Sequence, residues 1–321
     1  MRLVALGLVI AALACAQFKS TATLVVAPTT IVDVKGNYVD AEPADLILYD
    51  NGIRQPIQVD ESFNPISLVV AIQTASNSAA ILDKLGSAGV LFTDLLAGDR
   101  GETALVTFSD EVRVLRDFTT NSDNLTAGLK SLHVQGNGAV ANDAVMQALG
   151  MLAKRRPERR RILLMIAEKR DRSSKLKFQA VLQEAERQNV LVYWLTYSPF
   201  LEPFTAKPKT VKSKDPKKDG AALPPDMAPG NLLTVFSELA HQGKPDASVQ
   251  LTRATGGRAI GFLKKEALEE AIQAIADEVH RQLIVSFTPP GGTPGEYHVI
   301  RVEVKGHPEL RARHRAGYWS R

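Results

Sequence analysis

The sequence predicts an α/β fold. It expects a doubly wound, mainly parallel sheet, Rossmann-like in its winding, flanked by a small β-sandwich-like module drawn from both chain ends. Three observations carry this. Apolar runs of strand length recur at 66–72, 104–108, 161–167 and 190–196, nearly continuous, as strands buried on both faces require. Helical periodicity fills most of the intervals, and strands alternating with helices imply right-handed crossovers. At either end the pattern changes to short strands between turn residues, each set too small to bury a core alone.

In chain order, 23–27 and 30–34 are β-rich and Lys35-Gly36-Asn37 is a turn. A strand at 46–49 runs into Asp50-Asn51-Gly52, and 57–59 resumes. After the buried strand 66–72, the spacing of Leu82, Leu85, Val90, Leu91 and Leu95 predicts a helix over 79–96. Strands at 104–108 and 112–118 follow, then helices over 123–132 and 142–154. A strand at 161–167, a helix at 174–188 and a strand at 190–196 come next. Beyond a break lie a helix near 232–241, a short strand near 258–262 and a helix over 264–282. The tail holds strands at 283–288, 297–304 and 310–318. The expected organisation is a signal segment 1–16, a β segment 17–62, an α/β domain 63–282 and a β segment 283–321 packed on the first. Residues 199–230, rich in Pro and Lys, read as a flexible insertion.

Composition narrows the function classes. The chain has 321 residues, 45% hydrophobic and 23% charged, a globular profile with length for about two domains at roughly 100–200 residues each. A single cysteine, Cys15, excludes a disulfide scaffold, a thiolate zinc site and a CxxC redox pair. The formal charge of +4 hints at nucleic acid, but 206–220 holds six lysines against two aspartates, so the remainder is balanced. Arg2, the apolar run 3–13 and Ala14-Cys15-Ala16 form a secretory signal with cleavage after Ala16. Cys15 as a lipidated residue is the alternative. No later segment is apolar enough to span a membrane. The expectation is a secreted or periplasmic protein, free or lipid-anchored.

The ordered set of motifs Val106-Thr107-Phe108-Ser109, Asn142-Asp143-Ala144 and Thr255-Gly256-Gly257-Arg258 resembles a von Willebrand factor A-type domain. Val34-Lys35-Gly36, Leu46-Ile47-Leu48-Tyr49-Asp50-Asn51-Gly52 and Arg315-Ala316-Gly317-Tyr318 resemble secreted bacterial proteins related to that family. The resemblance implies an interaction or adhesion role and a metal-ion-dependent adhesion site. In such a site a first loop supplies Asp-x-Ser-x-Ser, a second a Thr and a third an Asp, hard oxygen ligands suited to a divalent ion. This chain departs at every position. Gln73 stands for the first Asp, Ala75 and Asn77 for the serines, Ala139 for the Thr, and Glu168 for the last Asp. A register shifted by one aligns Thr74, Ser76 and Ser78, restoring hydroxyls but no carboxylate. Few anionic ligands remain to offset dehydration of a cation. The expectation is therefore no bound cofactor or divalent cation, with Asp143 capping or preceding its helix rather than binding metal.

Other candidates read as structural. The basic run 154–161 is expected as a solvated loop rather than an anion patch, lacking interleaved aromatics. None of the six histidines forms a metal-ligand spacing, and there is no GxSxG elbow or Walker A loop. The sequence thus expects a non-enzymatic protein-interaction module. Its low-specificity candidate residues are Gln73, Ala75, Ser76, Asn77, Ser78, Ala139, Asp143 and Glu168. Its partner is an unidentified protein in the envelope or outside the cell, not nucleic acid. The alternative is metal-dependent adhesion through an altered site built on Glu168, Ser76, Ser78 and Asp143. A hydrolase with an unrecognised site is the remote alternative. The β flanks also offer edges for strand addition to a partner or a second copy.

Overall fold

Strand β5 (Ile66–Gln73) is buried at all eight positions, and the fold is laid out from it. The computed structural model describes residues 24–60, 65–197, 246–262, 267–290 and 293–320. The expected signal segment with Cys15, the 199–230 insertion and the helix near 232–241 lie outside the described residues. The central sheet runs β10 (Ala259–Phe262), β9 (Leu191–Tyr197), β8 (Arg160–Ala167), β5, β6 (Glu102–Phe108) and β7 (Val112–Thr119). Every pairing is parallel except β7, which returns antiparallel beside β6.

Alternation along β5 divides the core. Ile66, Leu68, Val70 and Ile72 face one layer; Val69 and Ala71 face the other. The first layer is completed by α1 (Ala79–Leu85), a π-helical segment Leu91–Ala97, α2 (Ser122–Lys130) and α6 (Ala267–Arg281). The second comes from α3 (Ala141–Ala153), α4 (Phe178–Gln188) and α5 (Ala247–Thr255). Helices on both faces are the reason the strands read as unbroken apolar runs.

Two helix expectations need correction, and one helix went unread. The helix over 79–96 is broken at 86–88. A side chain at Gly89 would sit 2.1 Å from the Thr126 hydroxyl, so α2 packs directly on the backbone there. The helix over 174–188 begins only at Phe178. Helix α5 has no counterpart in the sequence reading. Its local signals are Asp246, whose carboxylate accepts the Ser248 N–H at 3.1 Å, and Gly256 at φ +89° closing its last turn.

The two chain ends form two further sheets. One runs β13 (Arg311–Arg313), β1 (Val25–Val32), β11 (Leu283–Phe287), β4 (Gln58–Asp60). The other runs β14 (Gly317–Trp319), β12 (Tyr297–Val304), β2 (Leu46–Asp50), β3 (Ile53–Gln55). Each mixes strands from both ends, and both contribute to one core containing Ala27, Leu48, Val285, Phe287, Val302 and Tyr318. The expected pair of strands at 23–27 and 30–34 is one strand, β1, which pairs first with β11 and then with β13. The expected strand 310–318 is two short ones, β13 and β14, in different sheets.

The motifs at the two ends meet. Asp50 is 3% exposed, accepts the Tyr318 hydroxyl at 2.8 Å and lies 2.9 Å from His298 Nδ1. Asn51 and Gly52 turn the chain with positive φ, and the Asn51 side chain accepts the Val299 N–H at 2.9 Å. Arg315 is buried, so its pKa is lowered to about 10, and it donates to the Glu186 carbonyl and the Asn189 side chain at the end of α4. Gly256 allows this docking, since a side chain there would lie 2.7 Å from the Arg315 backbone nitrogen.

Glu278 on α6 joins the two parts. It is fully buried and accepts the hydroxyls of Tyr193 at 2.9 Å and Tyr38 at 3.2 Å. The guanidinium groups of Arg258 and Arg313 lie 2.7 and 2.6 Å from its oxygens. Tyr38 and Arg313 belong to the β module, Tyr193 and Arg258 to the α/β layers. Burial, then the nearby Glu278 charge, raises the pKa of both tyrosines, so they stay protonated donors.

Glu278→Gln strips the charge from this contact and leaves both arginines without a counter-ion. Urea unfolding should show a loss of about 3 kcal/mol, the scale for breaking a buried pair. A loss within error of zero would remove Glu278 as the joint.

His314 supplies a pH test. Its Nε2 accepts the Val302 N–H at 3.1 Å, so its Nδ1 carries the proton shared with the Arg315 carbonyl at 2.7 Å. Burial holds its pKa below the ordinary value near 6.5. The unfolded chain then binds the extra proton first, and stability falls as pH drops below about 6.5. In His314→Gln the urea midpoint should lose part of that slope between about pH 7 and 5.

Candidate functional site

The parallel strands end together at one rim, where Gln73 closes β5, Phe108 β6, Ala167 β8 and Tyr197 β9. Open α/β sheets bind ligands outside this edge. Three loops cover it and are laced by backbone hydrogen bonds. The Gln135 N–H donates to the Thr74 carbonyl at 2.8 Å, Ser76 to Gly136 at 2.9 Å and Arg172 to Ala139 at 3.0 Å. Gly136 (φ +142°) and Gly138 let this lacing close over Asp110, whose carboxylate lies 2.1 and 2.4 Å from where their side chains would start.

Glu168 is the centre of the rim and is 7% exposed. Its Oε1 accepts the Gln73 amide N–H at 2.8 Å, and also N–H groups of Asn77 and of the Arg172 guanidinium. Gln73 is itself buried, and its carbonyl oxygen accepts the Glu168 backbone N–H at 2.9 Å. Gln73, Asn77 and Glu168 thus converge in the register that places Gln73 first. The shifted register does not converge. Thr74 bonds to the Phe108 carbonyl, Ser76 is exposed, and the Ser78 hydroxyl lies 2.6 Å from the Tyr197 hydroxyl. Burial raises the pKa of Tyr197, so that hydroxyl stays protonated.

Ala75 and Ala139 are buried and offer no polar side-chain atom. Asp143 sits inside the first turn of α3, one of the expectations that shifts in detail. Its carboxylate accepts the N–H groups of Lys175 and Leu176, both at 3.0 Å, and so staples the third loop instead of capping its own helix. Asp171 does the reverse, accepting the Ala141 N–H at 2.9 Å and the Ser174 hydroxyl at 2.6 Å. Asp171 and Arg172 were not singled out by sequence reasoning. The signal for Arg172 was its i,i+4 spacing from Glu168, which the turn of the loop makes into an ion pair.

The basic run lies at the opposite end of the sheet; Lys154, Arg156 and Glu158 are exposed, as a solvated loop expects, but the arginines between and after them are engaged. Arg155 grips Glu102 with two bonds, at 2.7 and 2.6 Å, and stacks 4.6 Å over Phe118. Arg159 donates to Ser67 and the Ile66 carbonyl, and Arg160 to the Val279 carbonyl. These arginines bind the amino ends of the strands to their surroundings.

Gln73→Leu removes both bonds to Glu168 while keeping volume. It strands a buried N–H and takes one donor from a buried carboxylate, a loss on the order of 2–6 kcal/mol at about 1–3 per group. Chemical denaturation measures it, and a neutral result would show that the rim tolerates an unsatisfied Glu168.

Residues 54–209 match the family model of the von Willebrand factor type A domain. Among solved structures, the chain is similar to an aerotolerance-related membrane protein from Bacteroides fragilis. There the identity is 15%, coverage 67% of this chain and 99% of that one, and the TM-score 0.44. It is also similar to the conserved hypothetical protein BatB from Bacteroides thetaiotaomicron, at 14% identity, 67% and 98% coverage and a TM-score of 0.42. A third is the SpRpn10 VWA domain, at 10% identity, 64% and 93% coverage and a TM-score of 0.39. No curated protein matches the chain. With its mostly parallel sheet, its two helical layers and this match, the chain carries a von Willebrand factor type A domain.

Proposed function

We propose that this chain is an exported, non-enzymatic protein-interaction module whose rim works without a bound metal. A von Willebrand factor type A domain suggests an interaction module in general. The metal-free reading rests on one observation: the only carboxylate converging at the aligned positions already takes three N–H donors from its own chain, one of them a guanidinium. A divalent ion needs a shell of oxygens, six to eight for calcium. Here Gln73 and Asn77 turn N–H groups toward Glu168, and Ala75 and Ala139 offer methyl groups. This donor set does not fit a divalent ion; Arg172 supplies the positive charge instead.

The non-enzymatic reading is supported by how the rim's reactive groups are engaged. Ser78 faces a tyrosine hydroxyl, and Asp143 and Asp171 hold backbone N–H groups. Export is supported by Arg2, the apolar run 3–13 and Ala14-Cys15-Ala16, with the chain free in the envelope or held by a lipid on Cys15. Among the described residues no helix is long and apolar enough to cross a membrane. The partner in this reading is a protein of the envelope or the exterior.

Calorimetric titration of the purified chain with magnesium, manganese and calcium should give no saturable heat, and none of the ions should shift the melting temperature. Saturable micromolar binding that disappears in Glu168→Ala would replace this reading with metal-dependent adhesion.

A further inference from the structure

We propose that the third loop of the rim docks an acidic segment of a partner protein, with Arg172 as the central contact. This rests on the metal-free reading above and names the chemistry of the partner. Residues 168–177 carry five basic side chains and two acidic ones. The fold sorts them by direction. Glu168 is buried beneath the loop, and Asp171 is engaged by Ala141, Asn142 and Ser174. Lys169, Arg170, Arg172, Lys175 and Lys177 are all exposed. Among the described residues, Arg170, Lys175 and Lys177 make no side-chain hydrogen bond or ion pair. Lys169 only approaches Asp246, at 3.7 Å, a contact worth little at its exposure.

Arg172 is placed to do more than add charge. A guanidinium has five N–H donors in a planar fork, and Glu168 engages it through one nitrogen. Its side chain is 47% exposed, so the remaining edge faces solvent and matches a second carboxylate. Arg172 then bridges the buried Glu168 and an incoming Asp or Glu.

The loop is also held in shape. Arg172, Lys175 and Leu176 have their backbone N–H groups bonded to Ala139 and Asp143, and Asn142 donates to the Leu176 carbonyl at 3.2 Å. A preformed display lowers the ordering cost of docking. Leu176, exposed among the cations, adds an apolar contact. No aromatic side chain lies in 168–177 to stack a base, which favours a peptide over single-stranded nucleic acid.

The test uses the full mature chain and a fluorescein-labelled octapeptide of alternating glutamate and leucine, read by anisotropy in chelator at low salt. The expected result is saturable binding that weakens with added salt. It should fall at least tenfold in Arg172→Gln and in Arg170→Glu/Lys175→Glu, with melting temperatures near the parent's for the exposed pair. Lys154→Glu/Arg156→Glu at the other end of the sheet should bind as the parent does. A lysine–leucine octapeptide should not bind. No binding of the acidic peptide, or binding indifferent to the loop variants, overturns the docking proposal. Binding that appears only with magnesium overturns the metal-free reading instead, whatever the loop variants do. Tighter binding of a phosphatidylglycerol vesicle or an oligothymidylate overturns the choice of a protein partner.

Discussion

A carboxylate taken out of water must recover its hydration from cations and from N–H or O–H donors, or it costs several kcal/mol. Asp50, Glu278 and Glu168, three of the four buried carboxylates among the described residues, place this demand on the chain, and each is met at least in part by residues far apart in sequence. Asp50 draws in His298 and Tyr318 and so closes the β module. Glu278 gathers two arginines and two tyrosines and so fixes the β module to the helical layer. Glu168 gathers Gln73, Asn77 and Arg172 and so ties two rim loops together. The hydrophobic layers supply most of the driving force. The carboxylates determine which surfaces of those layers meet.

The three sites differ in what remains available to a partner. At Glu278 and Asp50 the donors are tyrosines, a histidine and arginines mostly covered by protein, so those sites leave little surface for a partner. At Glu168 the balancing cation is half exposed and belongs to a loop whose other cations have few partners. An internal ion pair that is sealed on the acid side and open on the base side leaves a surface of one sign. The rim is therefore electrostatically unfinished in a way the module joints are not.

Much of the layout was legible from the chain alone because burial on two faces writes an unmistakable pattern. Strands 66–72 and 161–167 could be read for that reason, and so could the alternating strand 297–304. What stayed hidden depended on close approach rather than periodicity. The break at 86–88 lies beside Gly89, where α2 packs on bare backbone. The start of α4 is delayed because Ser174, Lys175 and Leu176 are bound to Asp171 and Asp143. Helix α5 is short and its apolar face rests largely on Leu251, too little for a periodic signal. At the rim, the positions Gln73, Asn77 and Glu168 could be aligned. Arg172 could not, because its role arises from the path of the loop.

The residues that carried the family resemblance turn out to work mainly at the joints. In Thr255-Gly256-Gly257-Arg258, the threonine hydroxyl accepts the Val192 N–H at 3.1 Å and Gly256 makes room for Arg315. A side chain at Gly257 would lie 2.0 Å from the Val192 carbonyl, and Arg258 reaches Glu278. In Arg315-Ala316-Gly317-Tyr318, the arginine binds the end of α4, Ala316 donates to the Ala254 carbonyl, and Tyr318 binds Asp50. Such motifs report how a β module is mounted on this domain, and they are silent about what the domain holds. Partner choice has to lie in residues free of that mounting. On this rim those are the cations of 169–177, which no joint uses and which the fold nonetheless holds in place.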